Sequence, residues 1–93
     1  KINPLHAPTW NNLGNCYRQS ADATDAEAAL LEAIRLDSSY AAPLHNLGLL
    51  YASRGDMRGA MALYRKLMEI APPKADQLLQ EMGMAPQAAT QSP

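Results

Sequence analysis

The sequence predicts an all-α protein: antiparallel helix-turn-helix units stacked side by side as a short α-solenoid. Three observations carry that expectation. Trp10, Leu13, Gly14, Tyr17, Ala26 and Leu30 recur at one constant offset as Leu44, Leu47, Gly48, Tyr51, Ala60 and Tyr64, with no insertion between the copies. A 34-residue period of this kind means that one supersecondary unit has been copied, each copy completing its neighbour's core. Within a copy, apolar residues fall at i, i+3, i+4 and i+7, the stripe of an amphipathic helix. The stripes are broken by Ser20-Ala21-Asp22-Ala23 and by Arg54-Gly55-Asp56 at matching places. Stacked repeats make a surface rather than a pocket, so the work to expect is binding.

The first helix is expected over about residues 8–20. Trp10, Leu13, Gly14 and Tyr17 share one face, and Pro8 sits near the start, where its missing N–H costs nothing. After the break, Thr24-Asp25-Ala26-Glu27 reads as a capping box that opens a second helix. That helix runs to about Asp37 with Ala26, Leu30, Ala33 and Ile34 as its buried stripe. In the second copy Pro43 opens a helix to about Ser53. Gly55 is free to take positive φ in the turn, and Asp56 can cap the next helix. Ala60, Leu63, Tyr64, Leu67 and Met68 form the next buried stripe, which Pro72-Pro73 ends.

The organisation follows from the register. Residues 1–6 read as the end of a preceding copy, because Ile2 and Pro4 stand one period before Leu36 and Ser38. Residues 7–40 and 41–74 are the two full repeats. Residues 75–84 are expected to form a capping helix with Ala75, Leu78, Leu79 and Met82 on one face and Asp76, Gln77, Gln80 and Glu81 elsewhere. Gly83 suits its C-terminal cap. Residues 85–93 carry no apolar periodicity and are expected to be a disordered tail.

Composition narrows the function. The 93 residues suffice for one small domain, and the 47% hydrophobic content is rich in alanine and has no Phe. Eight basic and nine acidic residues give a formal charge of −1, which leaves no electrostatic footprint for nucleic acid or an anionic membrane. No apolar run approaches the length of about 20 residues needed to insert across a bilayer. Cys16 is alone and forms no internal disulfide, so it assigns no compartment. The chain opens on Lys1 without a secretory signal, which reads as a fragment or a processed chain.

Trp10-x2-Leu13-Gly14-x2-Tyr17, followed by Ala26, Leu30 and Ala33, resembles the tetratricopeptide repeat pattern. The second copy matches through Leu44, Leu47, Gly48, Tyr51, Ala60, Tyr64 and Pro72, so the resemblance covers about residues 2–83. Leu30 stands in place of an aromatic, Ser38 in place of a terminal proline, Ala21 in place of a turn glycine and Leu67 in place of a small residue. The physics of the pattern stands by itself: Gly14 and Gly48, with Ala26 and Ala60, let paired helices approach. A helical glycine costs about 1 kcal/mol relative to Ala, which close approach must offset. Trp10, Tyr17 and Tyr51 fill the wider gaps.

The resemblance implies a right-handed superhelix whose first helices line a concave groove for a partner protein or peptide. Carried onto this chain, the groove positions are Asn11, Asn12, Asn15, Arg18, Gln19, His45, Asn46, Leu49 and Ser53. Asn12 and Asn46 occupy equivalent positions, and their carboxamides suit the backbone of an extended peptide whatever its sequence. That arrangement resembles the asparagine ladder in the repeat arm of O-linked N-acetylglucosamine transferases. The other reading, equally open, is hydrogen bonding within the array itself. A carboxylate clamp is disfavoured: Asn15 and Asn46 fit it, but Asn11, Leu79 and Gly83 stand where its cations belong.

The remaining candidates have plain readings. His6 and His45 are expected at the surface, since no converging ligands suggest a metal. Cys16 reads as a small buried hydrophobe, and Asp25, Glu27 and Glu32 as capping and solvated acids. Met57, Met61, Met68, Met82 and Met84 read as adaptable packing. No phosphate loop or nucleophile elbow is present, so neither a cofactor nor an enzyme activity is expected. The expected function is a scaffold or adaptor module. Two alternatives stand beside it: self-assembly through an exposed N-terminal face around Leu5 and Pro8, and a substrate-recruiting arm of a larger enzyme.

Overall fold

Five helices follow one another in the computed structural model, which describes residues 6–83. They are α1 (Ala7–Gln19), α2 (Ala23–Leu36), α3 (Ala41–Ser53), α4 (Met57–Ile70) and α5 (Pro72–Glu81), with no strand among the described residues. Residues 1–5 of the expected preceding-repeat end, Met84 of the expected capping helix and the expected tail lie outside the described residues. Antiparallel pairs form between α1 and α2 and between α3 and α4. α1, α3 and α5 neighbour one another in one layer, while α2 packs behind α1 and α3 and α4 behind α3 and α5, on the outer side. The result is a short α-solenoid.

The two helix-to-helix turns are the same motif twice. Asp22 N–H donates to the Tyr17 carbonyl at 2.9 Å and Asp56 N–H to the Tyr51 carbonyl at 2.8 Å. Inside these, Ala21 N–H reaches the Arg18 carbonyl and Gly55 N–H the Ala52 carbonyl, at 3.2 and 3.0 Å. Such paired bonds close a helix through a left-handed residue. Gly55 takes that role at φ +81°, and Ala21 takes it at φ +63°. A Cβ in this region costs about 1 kcal/mol or more. Ala21→Gly is therefore expected to raise the melting temperature by about 4–8 °C, the shift of roughly 1 kcal/mol for a domain of this size. A thermal melt followed by circular dichroism checks it.

The caps differ from the capping-box expectation. Asp22, not Thr24, is the N-cap of α2, accepting from Asp25 N–H at 3.4 Å, and Thr24 lies inside the helix. Asp56 caps α4 in the same way, accepting from Gly59 N–H at 2.9 Å. The turn fixes where the chain leaves α1, which puts the side chain at position 22 over the new helix end. Pro72 and Pro73 do not merely end α4: the break is Ala71 alone (φ −156°, ψ 73°), and both prolines open α5. A residue before proline is driven to extended backbone, and proline suits the first helical turn. α5 therefore begins earlier than the sequence suggests. It ends at Glu81, with Gly83 at φ +84° beyond it.

The core falls into two clusters bridged by the half-buried Ile34 and Leu63. Ala26 and Leu30 of α2 pack with Leu47 and Leu50 of α3. Leu44 then joins Tyr64 and Leu67 of α4 to Ala75, Leu78 and Leu79 of α5. Gly14 is required against α2, because a Cβ there would sit 2.6 Å from Leu30 Cγ and 3.3 Å from the Ala26 carbonyl oxygen. Gly48 has a different role. Its nearest neighbours all belong to Leu78, at 2.8 Å from the added Cβ, so it admits the next helix in the stack rather than its own pair partner.

Several burial expectations fail, among them Met57, which is exposed rather than packed. Met68 is 42% exposed rather than in the α4 stripe. Leu13 is 39% exposed whereas its equivalent Leu47 is 1% exposed. Leu47 is covered by α2, and no described helix lies on the corresponding side of α1. The same geometry explains Cys16, which is exposed although its equivalent Leu50 is buried.

Candidate functional site

The layer of α1, α3 and α5 exposes one side to solvent, and the groove positions divide there into two groups. Asn11 and His45 are buried, at 7% and 8% exposure, and lie at the joints between neighbouring helices. Asn46 Nδ2 donates to Asn11 Oδ1 at 2.9 Å, tying α3 to α1. His45 Nε2 meets Glu81 Oε1 at 2.9 Å, tying α3 to α5. Asn11 and His45 are equivalent positions, so the same place in each repeat supplies the polar contact to the next layer helix. His45 is thus not the surface histidine that its sequence context suggests.

The other groove positions remain accessible. Asn12, Gln19 and Ser53 are exposed, and Asn15, Arg18, Asn46 and Leu49 are half-buried. Asn15 Oδ1 accepts from an Arg18 guanidinium N–H at 2.8 Å, and the Ser53 hydroxyl donates to the Leu50 carbonyl at 2.7 Å. Arg18 Nε is buried without a partner among the described residues. The bond to Asn11 uses one N–H of Asn46 and leaves its carbonyl oxygen available, since a carboxamide has two donors and an acceptor. Sequence reasoning missed one member of this surface. Gln80 on α5 is exposed and stands one period after Asn46, so Asn12, Asn46 and Gln80 put a carboxamide at the same repeat position in all three layer helices. The period itself could have found it.

Electrostatics at the α3–α5 joint have a definite sign. Burial holds the His45 imidazole below its ordinary value, opposed by the Glu81 carboxylate and assisted by Lys74 and Arg18. The Glu81 carboxyl is held low by the Gln77 amide, which donates at 3.0 Å, and by His45. A histidine with a depressed folded-state value stabilises the fold above the unfolded value of 6.5, and that contribution is lost as pH falls through the folded value. Urea unfolding is therefore expected to show stability falling below about pH 6.5. His45→Gln should flatten that part of the profile, and an unchanged profile would contradict the assignment.

On α2, Glu27 is a tether rather than a solvated acid. Its carboxylate accepts from the Tyr51 hydroxyl at 2.8 Å and from Arg54 at 2.7 Å, joining α2 to the end of α3. These donors hold Glu27 below the usual carboxylate range, while burial and the Glu27 charge push Tyr51 up to about 12. Among the described residues no group of three or more His, Cys, Asp or Glu could hold a metal ion. No helix among them is long and apolar enough to cross a membrane.

A stack of helix pairs with a solvent-facing layer of first helices defines a helical-repeat protein. A family model described as tetratricopeptide repeat matches residues 5–72, and the chain belongs to that family. Its repeats generally mediate protein–protein interaction and scaffolding, and the family is typically non-catalytic. No curated protein and no solved structure matches the chain.

Proposed function

We propose that the exposed side of the α1–α3–α5 layer receives an extended or helical peptide from a partner protein, so that the protein acts as a scaffold or adaptor and not as an enzyme. The observation that carries this reading is the recurrence of a carboxamide at Asn12, Asn46 and Gln80, one per layer helix. Such groups bond a peptide backbone irrespective of its side chains, while the half-buried Leu49 offers an apolar contact between them. Asn15, Arg18, Gln19 and Ser53 edge the same surface. Asn11 and His45 hold the layer together and position Asn46 and α5.

A groove of this length supports modest affinity, micromolar or weaker, about −8 kcal/mol. Peptides selected from a random display library provide the probe. Titration of one selected peptide against Asn12→Ala and Gln80→Ala tests the reading, since both side chains are exposed and their loss leaves the core intact. Each substitution is expected to weaken binding by about three- to tenfold, the value of one net hydrogen bond. Unchanged affinity in both variants, with helicity retained, would contradict it.

A further inference from the structure

The outer layer carries a charge pattern that inverts between the repeats. On α2, Glu32 and Arg35 form an ion pair one turn apart. At the equivalent positions, one period on, α4 carries Lys66 and Glu69: the same spacing with the signs exchanged. The net balance around these pairs differs as well: residues 22–37 hold the acids Asp22, Asp25, Glu27, Glu32 and Asp37 against the single cation Arg35, whereas the equivalent residues 56–71 hold Arg58, Arg65 and Lys66 against Asp56 and Glu69. Beside the charges, Ala28 and Ala62 are exposed at equivalent positions. Leu31 is 46% exposed, and its equivalent, Arg65, is exposed as well.

We propose that this layer docks a second copy of the chain, with α2 of one subunit lying along α4 of the other. Successive repeats differ by a small rotation, so equivalent positions point the same way. A two-fold axis running along the helices, between α2 and α4, then sets each position against its equivalent. Glu32 faces Lys66 of the partner subunit, Arg35 faces Glu69 of the partner subunit, and Asp25 lies beside Arg58 of the partner subunit. The axis repeats every contact, as an isologous interface must. Ala28 against Ala62 of the partner subunit permits close approach, and Leu31 lies on the aliphatic stem of the partner's Arg65. The peptide groove is on the opposite layer and stays open in the dimer. This surface also differs from the N-terminal one expected around Leu5 and Pro8.

Sedimentation velocity of the full chain over a concentration series, at low and high salt, tests the proposal. Screening shortens the reach of exposed charges from about 30 Å at 0.01 M to about 8 Å at 0.15 M salt. A rise to twice the monomer mass is expected at low salt, receding as salt is added. Glu32→Lys and Lys66→Glu are each expected to return the chain to monomer, and the double variant E32K/K66E, which exchanges the signs, to restore the dimer. The second swap, R35E with E69R, gives the same reading should the first pair disturb folding. A monomer at every concentration at low salt overturns the proposal. So do a dimer indifferent to both single reversals and a folded charge swap that stays monomeric.

Discussion

Leu78→Ala is expected to cost about 3 kcal/mol, within the range for emptying a fully buried leucine site. Leu78 is completely buried, packs in the cluster that joins α3, α4 and α5, and reaches the space that Gly48 leaves open. Relaxation would not easily fill the hole, because α5 is held at one end by the short Ala71 link and at the other by the His45–Glu81 contact. A domain of this size has a total stability of about 5–14 kcal/mol, so the loss is a large share of it. Thermal melting should fall by roughly 12–24 °C. A fall of only a degree or two would mean that α5 is not an integral layer of the stack.

Gly14→Ala is expected to destabilise by about 1–2 kcal/mol, although the same change in an open helix would stabilise by about 1 kcal/mol. The difference lies in what the new methyl meets. Leu30 Cγ at 2.6 Å is the branch point of a buried side chain, and the Ala26 carbonyl at 3.3 Å belongs to the α2 backbone, so α1 and α2 must separate. A double-mutant cycle with Leu30→Ala isolates the contact. Removing Leu30 should abolish most of the Gly14→Ala penalty and give a coupling of about 1 kcal/mol or more. Additive effects in urea unfolding would show that the glycine answers to something other than Leu30.

What is legible in the sequence is whatever repeats. The recurrence points to the five helices, the two turns and the Asp56 cap, because each depends on local chemistry or on a neighbour one period away. The α2 cap misleads for an instructive reason: Thr24-x-x-Glu27 satisfies a local capping rule, yet the turn closed by Tyr17 decides which residue stands over the helix end. Asp22, one period before Asp56, is the better guide. Glu27–Tyr51, His45–Glu81 and Asn46–Asn11 are hidden because each joins two helices through side chains that no periodicity links. Leu13 and Cys16 show the converse. Their types match a buried stripe, but a stripe is buried only where another helix covers it.

These joints also sharpen the candidate surface. Of two equivalent asparagines, Asn46 commits one donor to Asn11 while Asn12 stays exposed, so the groove positions do not share one role. Asn11 and His45 are structural members, and Gln80 extends the exposed line onto α5.

The most direct test is to map a bound, library-selected peptide by amide and side-chain chemical shifts in isotope-labelled protein. The account predicts the largest perturbations at Asn12, Asn15, Gln19, Asn46, Leu49 and Gln80, with little change along the outer faces of α2 and α4. Perturbations concentrated on Leu31, Ala62, Arg65 and Lys66, with the carboxamides silent, would contradict it.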